Sequence, residues 1–172
     1  GHFFLVSVNV SVIQLQQGTL VDDVTKALTE SGLDPKWLEL EITESAAMTD
    51  VESNIGILKT LREMGVYISV DDFGTAYSSL NYLKRLPVNS LKIDKSFVED
   101  ISDTESADTA IVQAVIALGK SLGFSLIAEG VEDNQQLSFL RGAGCDEAQG
   151  YWFARPMSAQ DTLQWFSKYK SR

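Results

Sequence analysis

Apolar and polar residues alternate with a period of two in several short stretches of this sequence, and between those stretches apolar residues recur every three or four positions. In one stretch, for example, Ile68 and Val70 alternate with Ser69 and Asp71. The first period is typical of strands and the second of helices. The pattern predicts six strands, at residues 4–10, 38–43, 66–71, 90–94, 125–129 and 148–153.

Residues typical of helix ends mark the segments between these strands. Three of the predicted helices stop before a glycine, namely Gly32, Gly65 and Gly123. Thr49 and Glu52 have the spacing of a capping box and predict the start of the second helix. Ser158 and Asp161 predict the cap of a last helix, which is expected to bury Leu163.

Strands that alternate with helices form a parallel sheet, which is either doubly wound or closed into a barrel. A doubly wound sheet is covered by helices on both faces, so its central strands are apolar on both. Here one face of most strands is polar, which favours a TIM-type (β/α) barrel whose interior opens onto a polar site. A complete barrel takes ~250 residues. The 172-residue chain is therefore predicted to be one incomplete α/β domain, with about six of eight strands, the others lying upstream of Gly1.

The charge balance restricts the partners. There are 14 Lys and Arg against 24 Asp and Glu, for a net charge of −10, and basic residues do not alternate with aromatic ones. This argues against a nucleic-acid polymer or an anionic membrane as the partner. With one cysteine, Cys145, and one histidine, His2, a disulfide or a zinc site within the chain is excluded. A bound metal would be held by oxygen, as Mg²⁺, Mn²⁺ and Ca²⁺ are.

Polar residues recur along the predicted strands, most of them at the carboxyl ends where the reactive groups of such barrels gather. Asn9, Glu41, Asp71 with Asp72, and Glu129 end their strands, whereas Lys92 lies on the fourth strand and Gln149 opens the sixth. Taken singly, a strand-end aspartate is usually a turn residue and a lone lysine a solvated charge. Together, the carboxylates would repel one another severely unless a divalent cation lay between them. The set predicts a metal centre that hydrolyses a phosphate ester. The alternative of a glycosidase that works through two carboxylates does not explain Lys92 and Asn9.

The adjacent residues Asp71 and Asp72 point to opposite faces of an ideal strand. We expect the end of this strand to be irregular, so that both carboxylates face a two-metal centre and one of them bridges the ions. Lys92 is expected to neutralise developing charge or to orient the attacking water. Glu129 is expected to be a metal ligand or a general base.

Six short motifs follow one another along the chain: Asn9-Val10-Ser11, Glu41-Ile42-Thr43-Glu44, Asp71-Asp72-Phe73-Gly74-Thr75, Lys92-Ile93-Asp94, Glu129-Gly130-Val131-Glu132 and Gln149-Gly150-Tyr151. In this order they resemble the signatures of the EAL-domain phosphodiesterases, and the resemblance runs from Asn9 to Pro156. It implies a bacterial signalling enzyme that hydrolyses cyclic di-GMP to linear pGpG, with Mg²⁺ or Mn²⁺ bound in a barrel.

The resemblance also implies roles for single residues. Asn9, Glu41 and Asp71 are similar to ligands of a first ion, and Asp71 with Asp72 to ligands of a second. Glu129 is similar to the family glutamate that serves as metal ligand or general base.

Other positions resemble residues around that centre. Lys92 is similar to the lysine at the catalytic water, and Gln149 to a group that positions water or metal. Residues similar to those that support the ligands or bind the nucleotide are Glu44, Asp94, Glu132, Phe153 and Pro156. Glu44 resembles the glutamate that anchors a regulatory loop, which here spans 72–79 and includes Phe73, Gly74, Thr75, Ser78 and Ser79.

The chain departs from the family in two ways. Ala76 stands where the family usually has glycine. The Glu-Ala-Leu tripeptide that names the family does not occur, and its glutamate, a ligand of the first ion, is expected in the upstream strands together with the arginine that follows it.

The resemblance implies a homodimer that forms through the helices after the loop, and sensory or cyclase domains fused outside this chain. It further implies a cytoplasmic domain without direct membrane contact, in a longer protein that could itself be membrane-tethered. The alternative function is that of a non-catalytic cyclic di-GMP receptor. Such receptors generally lose metal ligands, whereas every ligand downstream of the missing tripeptide is present here.

Overall fold

The chain forms one parallel sheet whose strands lie side by side in the order of the sequence. A computed structural model describes residues 4–75, 80–99, 101 and 107–169, with side chains as far as Ser167. Within these residues there are six strands: β1 (Val6–Val10), β2 (Leu38–Thr43), β3 (Tyr67–Phe73), β4 (Ser90–Ile93), β5 (Ser125–Ala128) and β6 (Glu147–Ala148). This is the architecture of a TIM-type barrel that is incomplete in this chain, as predicted.

Helices connect each strand to the next. They are α1 (Val12–Gln16), α2 (Leu20–Ser31), a 3-10 turn (Pro35–Trp37), α3 (Glu44–Ala47), α4 (Val51–Glu63), α5 (Leu80–Leu83), α6 (Lys95–Val98), α7 (Ala107–Leu122), α8 (Asn134–Ala143) and, after β6, α9 (Ala159–Tyr169). In the described part of the chain, none of the helices combines the length and the apolar character needed to cross a bilayer.

The two faces of the central strands differ as the sequence pattern predicts. Ile42 and Ile68 are at most 1% exposed and pack with the helices in the hydrophobic core. The alternate residues of the same strands are polar and are buried as well, among them Glu41, Ser69 and Lys92. A sheet with one apolar face towards its helices and one buried polar face is that of a barrel with a polar interior.

The predicted capping box at the start of α4 is wrong. Asp50 precedes the helix with a φ of 49° and makes no side-chain hydrogen bond to the helix start. The hydroxyl of Thr49, which was expected to cap the helix with Glu52, instead donates to the carbonyl oxygen of Ser45 at 2.9 Å. The reason is local: α3 ends at Ala47, and the carbonyl of Ser45 in that helix accepts the hydrogen bond that Thr49 would otherwise direct to α4.

The predicted cap of the last helix is present, but the predicted burial is not. Ser158 Oγ accepts a hydrogen bond from the backbone N of Asp161 at 3.2 Å. Leu163 in α9 is nevertheless 65% exposed. Phe166 of the same helix contacts Phe4, with 4.3 Å between the ring centroids, so α9 lies against the residues that lead into β1.

The sixth strand is much shorter than predicted. It ends at Ala148, and the chain leaves the sheet at Gln149, whose carbonyl accepts from the backbone N of Val131 at 3.0 Å. Trp152 N then donates to the carbonyl of Val131 at 2.9 Å. A Cβ at Gly150 would lie 2.2 Å from that carbonyl oxygen, so the two backbones touch. This crossing ends the strand, and the alternation of residue types does not reveal it.

Candidate metal centre

The buried amine of Lys92 lies at the centre of the polar cluster. Its Nζ forms ion pairs with Glu129 Oε1 at 2.6 Å, with Glu41 Oε1 at 2.9 Å and with Asp71 Oδ1 at 3.2 Å. The side chain of Lys92 is 4% exposed, and those of the three acids are 10–17% exposed. Charged groups from β2, β3, β4 and the end of β5 are therefore packed against one another with little access to water.

The surrounding carboxylates keep Lys92 charged. Burial alone lowers the pKa of a lysine, because it disfavours the ammonium form. Here burial is outweighed by the hydrogen bonds to Glu129 and Glu41 and by the charge of Asp71, which together raise the pKa of Lys92 well above its usual range. Lys92 is therefore the cation against which these carboxylates are arranged at neutral pH.

Glu129 contacts Lys92, and its pKa is raised. It directly follows β5, and its Oε1 accepts a hydrogen bond from Gln149 Nε2 at 2.5 Å. Burial raises the pKa of Glu129, and the negative charges of Asp71 and Glu41 act in the same direction, although Lys92 opposes them. A carboxylate with a raised pKa that is already oriented by an amide is suited to accept a proton.

The adjacent residues Asp71 and Asp72 reach the same centre because β3 is irregular at its end. The pairing of β3 with β4 shifts register between Val70 and Phe73. Asp72 has a φ of 54°, in the left-handed region that residues with a Cβ rarely adopt. As a result, carboxylate oxygens of Asp71, Asp72 and Glu129 all lie within 4.8 Å of one another.

Asp94 contacts Asp72 from the start of α6. The two carboxyl groups share a hydrogen bond, and Asp94 Oδ1 also accepts from Ser96 N at 2.9 Å and from the Ser96 hydroxyl. Burial raises the pKa of Asp72, and the charges of Asp71 and Asp94 raise it further. Burial acts in the same direction on Asp94, but the bonds from Ser96 outweigh it and lower the pKa of Asp94. Of the two carboxyl groups, Asp72 is therefore the one whose neutral form is favoured.

Asn9 and Gln149 lie on the two outer sides of this cluster. Asn9 is the register partner of Glu41 in the pairing of β1 with β2, and it is exposed. Gln149 is also exposed and reaches the cluster through Glu129. The structure thus gathers six of the residues expected at the site and places Asn9 beside them; the six are Glu41, Asp71, Asp72, Lys92, Glu129 and Gln149.

The loop after β3 is tied to α3 through Glu44, which is 1% exposed. Glu44 Oε2 accepts a hydrogen bond from the backbone N of Gly74 at 2.9 Å. The hydroxyl of Thr75 donates to the carbonyl oxygen of Asp72 at 2.8 Å, and Phe73 is buried at the end of β3. Two residues expected in this loop lie outside the described part of the chain, Ser78 and Ser79.

The remaining expected residues are not gathered in one place. Phe153, 40% exposed, lines a cavity of about 340 Å³ against α8. Pro156 lines a different cavity of about 450 Å³, which Gln149 also borders. Glu132 is exposed, and its backbone N donates to Gln136 Oε1 at 2.7 Å. The structure therefore places Gln149 and Pro156 along one opening and Phe153 outside it.

Two buried hydroxyl groups were missed by reasoning from the sequence. Ser69 and Ser90 are register partners on β3 and β4 and are at most 3% exposed. Among the described residues, neither hydroxyl has a hydrogen-bond partner. They lie two residues before Asp71 and Lys92 on the same faces of their strands, and that spacing is the signal that could have found them.

Comparison with known proteins identifies the class of domain. The sequence profile of the EAL domain matches residues 1–156 of this chain. The chain therefore belongs to the EAL domain family.

Individual relatives are similar over nearly the whole chain. The bifunctional diguanylate cyclase/cyclic di-GMP phosphodiesterase MucR of Pseudomonas aeruginosa is 48% identical over 158 residues, which are 92% of this chain and 23% of MucR. The cyclic di-GMP phosphodiesterase NbdA of the same organism is 46% identical over 171 residues, which are 99% of this chain and 22% of NbdA. The chain thus spans about a quarter of the length of these curated relatives.

Solved structures share the fold. The MucR phosphodiesterase in complex with c-di-GMP superposes with a TM-score of 0.88 at 48% identity, covering 91% of this chain and 63% of that one. BlrP1 of Klebsiella pneumoniae, in a complex with calcium and the cyclic dinucleotide, superposes with a TM-score of 0.77 at 32% identity, covering 87% of this chain and 38% of that one. The incomplete barrel is therefore an EAL fold.

Proposed function

We propose that this EAL domain hydrolyses cyclic di-GMP to linear pGpG with two Mg²⁺ or Mn²⁺ ions bound at the strand ends. The observation that carries the proposal is the approach of the carboxylate oxygens of Asp71, Asp72 and Glu129 to within 4.8 Å of one another. Relatives named as cyclic di-GMP phosphodiesterases, and a related phosphodiesterase solved with c-di-GMP, support the substrate.

The residues present fit a divalent cation. Their side chains offer carboxylate oxygens, together with the amide oxygen of Asn9, and these are the donors that Mg²⁺ and Mn²⁺ prefer. Burial and mutual repulsion raise the pKa values of Asp72 and Glu129. A bound cation would relieve that repulsion. In this proposal Asn9, Glu41 and Asp71 hold the first ion, and Asp71, Asp72 and Glu129 hold the second.

The reaction requires water to replace one ribose oxygen on phosphorus. The water oxygen bonds to phosphorus, one P–O bond to a ribose 3′-oxygen breaks, and that oxygen takes up a proton, which leaves a linear dinucleotide with a 5′-phosphate. Bound divalent cations supply Lewis acidity towards the water and the phosphate oxygens. Glu129 would accept a proton from the attacking water. Lys92, a positive charge 2.6 Å from Glu129, would orient the water and stabilise negative charge on the phosphate.

Residues farther from the reacting atoms keep this arrangement in place. Gln149 holds Glu129 through its 2.5 Å hydrogen bond, and Asp94 holds Asp72. Glu44 fixes the loop after β3 through the amide of Gly74, as a regulatory anchor would. Glu132, Phe153 and Pro156 are assigned to the surroundings of the site and the nucleotide rim.

We further propose that residues 1–172 are one domain of a longer cytoplasmic signalling protein with sensory or cyclase domains. The longer curated relatives support this, since they match the chain over only 22–23% of their length. That protein would supply the remaining barrel strands and the Glu-Ala-Leu glutamate. It would form a homodimer through the helices that follow the loop after β3.

The test is an assay with Mn²⁺ and cyclic di-GMP, resolved by chromatography, on two proteins: the 172-residue chain and a longer form that carries its upstream segment. Asp71→Asn removes the ligand that both ions share and is expected to abolish pGpG formation. Asp22→Asn, which removes the same charge at an exposed position of α2, is expected to leave it unchanged.

The outcomes separate the two candidate functions. Formation of pGpG by the longer form, lost in Asp71→Asn, supports the phosphodiesterase. Binding of cyclic di-GMP by calorimetry without any product from the longer form overturns it and assigns the domain as a receptor. Failure of Asp71→Asn to reduce product formation would overturn the metal assignment.

A further inference from the structure

Two glycines beside the proposed metal ligands touch the same short helix. A Cβ at Gly74 would lie 2.9 Å from Phe97 Cε2, and a Cβ at Gly130 would lie 2.5 Å from Lys95 Cβ. Phe97 and Lys95 both belong to α6. The loops after β3 and after β5 therefore press against α6 from different sides, at distances that leave no room for a side chain.

Both contacts are very close in sequence to the proposed ligands. Gly74 is two residues after Asp72, and Gly130 directly follows Glu129. The pairing of β3 with β4 ends at Phe73 and the paired residues of β5 end at Ala128, so each loop contact lies just beyond the sheet. Backbone hydrogen bonds from Glu129 N to the carbonyl of Ile93 and from Val131 N to that of Gln149 flank Gly130, and packing against α6 adds to them.

The helix itself is firmly seated. Val98 of α6 is 0% exposed, and Phe97 packs at the border of the hydrophobic core. Asp94 caps the helix by accepting from the backbone N of Ser96 at 2.9 Å. The helix also packs against α7. It therefore has the fixed position that a support for two loops requires.

Asp72 is the residue that most needs such a support. Its φ of 54° is unfavourable for a residue with a Cβ and persists only when the surroundings impose it. Glu44 holds the amide of Gly74 from one side at 2.9 Å, and the ring of Phe97 lies against the Cα of Gly74. The loop is thus held between a buried carboxylate and an aromatic ring.

We infer that α6 is a spacer that sets the separation of Asp72 and Glu129, with Phe97 as a positioning residue for Asp72. This inference rests on the proposed function, because it assigns α6 a role in the affinity of that site for divalent cations. Phe97 reaches the site through Gly74 and needs no contact with metal or substrate.

The first experiment replaces the ring. Phe97→Ala removes the support under Gly74, whereas Phe97→Leu refills most of it, and Phe139→Ala removes a comparable, partly buried ring from α8. In the metal-free chain, hydrogen exchange at the Gly74 amide is expected to be about tenfold or more faster in Phe97→Ala than in the wild type. Phe97→Leu should restore it and Phe139→Ala should not change it. Equal exchange in Phe97→Ala and the wild type, or equal acceleration in Phe139→Ala, overturns the inference.

The second experiment adds a side chain on the opposite side of the spacer. Gly130 has a φ of 72° and Gly32 a φ of 67°, but a Cβ at Gly32 would meet nothing within 4 Å. Gly130→Ala and Gly32→Ala therefore carry the same backbone strain, and only the first collides with Lys95. Calorimetric titration with Mn²⁺ is expected to show about tenfold or more weaker binding in Gly130→Ala and unchanged binding in Gly32→Ala.

Failure of the inference and failure of the proposed function give different results. If the wild-type chain and Gly130→Ala bind Mn²⁺ equally well, the role of α6 as a spacer is wrong and the proposed function stands. If the chain binds no Mn²⁺ even in the longer form that carries its upstream segment, the proposed metal site is wrong. The exchange rates at Gly74 then decide whether α6 positions the loop.

Discussion

Strands β1 and β3 have the same alternation of residue types but very different surroundings. Ile68 on β3 is 0% exposed, whereas Val8, which aligns with it on β1 through Leu40, is 45% exposed. Within the described part of the chain, β3 is paired on both sides and β1 only with β2. Val10, on the same face of β1, is only 6% exposed. The alternation thus indicates which residues share a face, and the neighbouring elements decide which of them are buried.

The same contrast governs the polar faces. Glu41, Lys92 and Asp71 come from central strands and are bound to one another at 2.9 and 3.2 Å from the lysine nitrogen. Asn9 on β1 and Gln149 after β6 are exposed. The buried ion pairs of the site therefore lie at the centre of the sheet, and the site residues at its two edges are exposed to solvent.

The largest predicted effect comes from removing the central cation. Lys92→Met leaves Glu41, Asp71 and Glu129 buried without their partner, and we expect a loss of about 3–5 kcal/mol in the free energy of unfolding of the metal-free chain, measured by urea denaturation. Lys59→Met is the control, because Lys59 pairs with Glu63 at 3.9 Å on the exposed surface of α4.

That control is expected to change the stability by less than about 0.5 kcal/mol. Mn²⁺ should restore part of the stability of Lys92→Met, since a divalent ion supplies the missing positive charge between the carboxylates. Equal stability of the two variants would show that the central cluster has no special energetic role.

A smaller effect is expected from matched deletions in the apolar faces. Val70→Ala removes two methyl groups from the core and should cost about 2 kcal/mol. Val8→Ala removes the same groups from an exposed position and should cost less than about 0.5 kcal/mol. Urea denaturation of both variants measures the difference, and similar losses would mean that β1 is covered in solution, by a second copy or another segment.

The smallest effect is a dependence of metal binding on pH. Because the pKa values of Asp72 and Glu129 are raised, protons compete with cations at a higher pH than for ordinary carboxylates. Lowering the pH from about 7.5 to about 5.5 is expected to weaken Mn²⁺ binding by about tenfold in calorimetry. Asp94→Asn removes one charge that raises the pKa of Asp72, so its binding should depend less on pH. Binding that strengthens towards pH 5.5 would contradict the assignment of these ligands.

The fold was predictable where a residue pattern follows directly from local geometry. Five of the six strands were placed correctly to within a few residues, since each is an alternating stretch that lies in a paired sheet. The sixth was not, because Gly150 meets the backbone of Val131, a contact between residues far apart in sequence. The capping box failed for a related reason, as the hydroxyl of Thr49 is used by the preceding helix.

The candidate site was predictable in its residues and less so in its arrangement. The strand-end positions of Glu41, Asp71 and Glu129 follow from the order of strands in a parallel barrel. The ion pairs of Lys92 with all three do not, because they depend on the direction of a long side chain inside the barrel. Likewise, the contact of Phe97 with Gly74 joins helix α6 to the loop after β3, and no sequence pattern connects the two.

The sequence by itself determined the class of fold, the family and the residue types at the strand ends, because period, order and motif are local properties of the chain. The tertiary structure alone decided which carboxyl groups contact each other, which carboxylates surround Lys92, and how the left-handed backbone of Asp72 brings its side chain to the site. These depend on distances between strands and on burial, and both are set only when the sheet and its helices pack together.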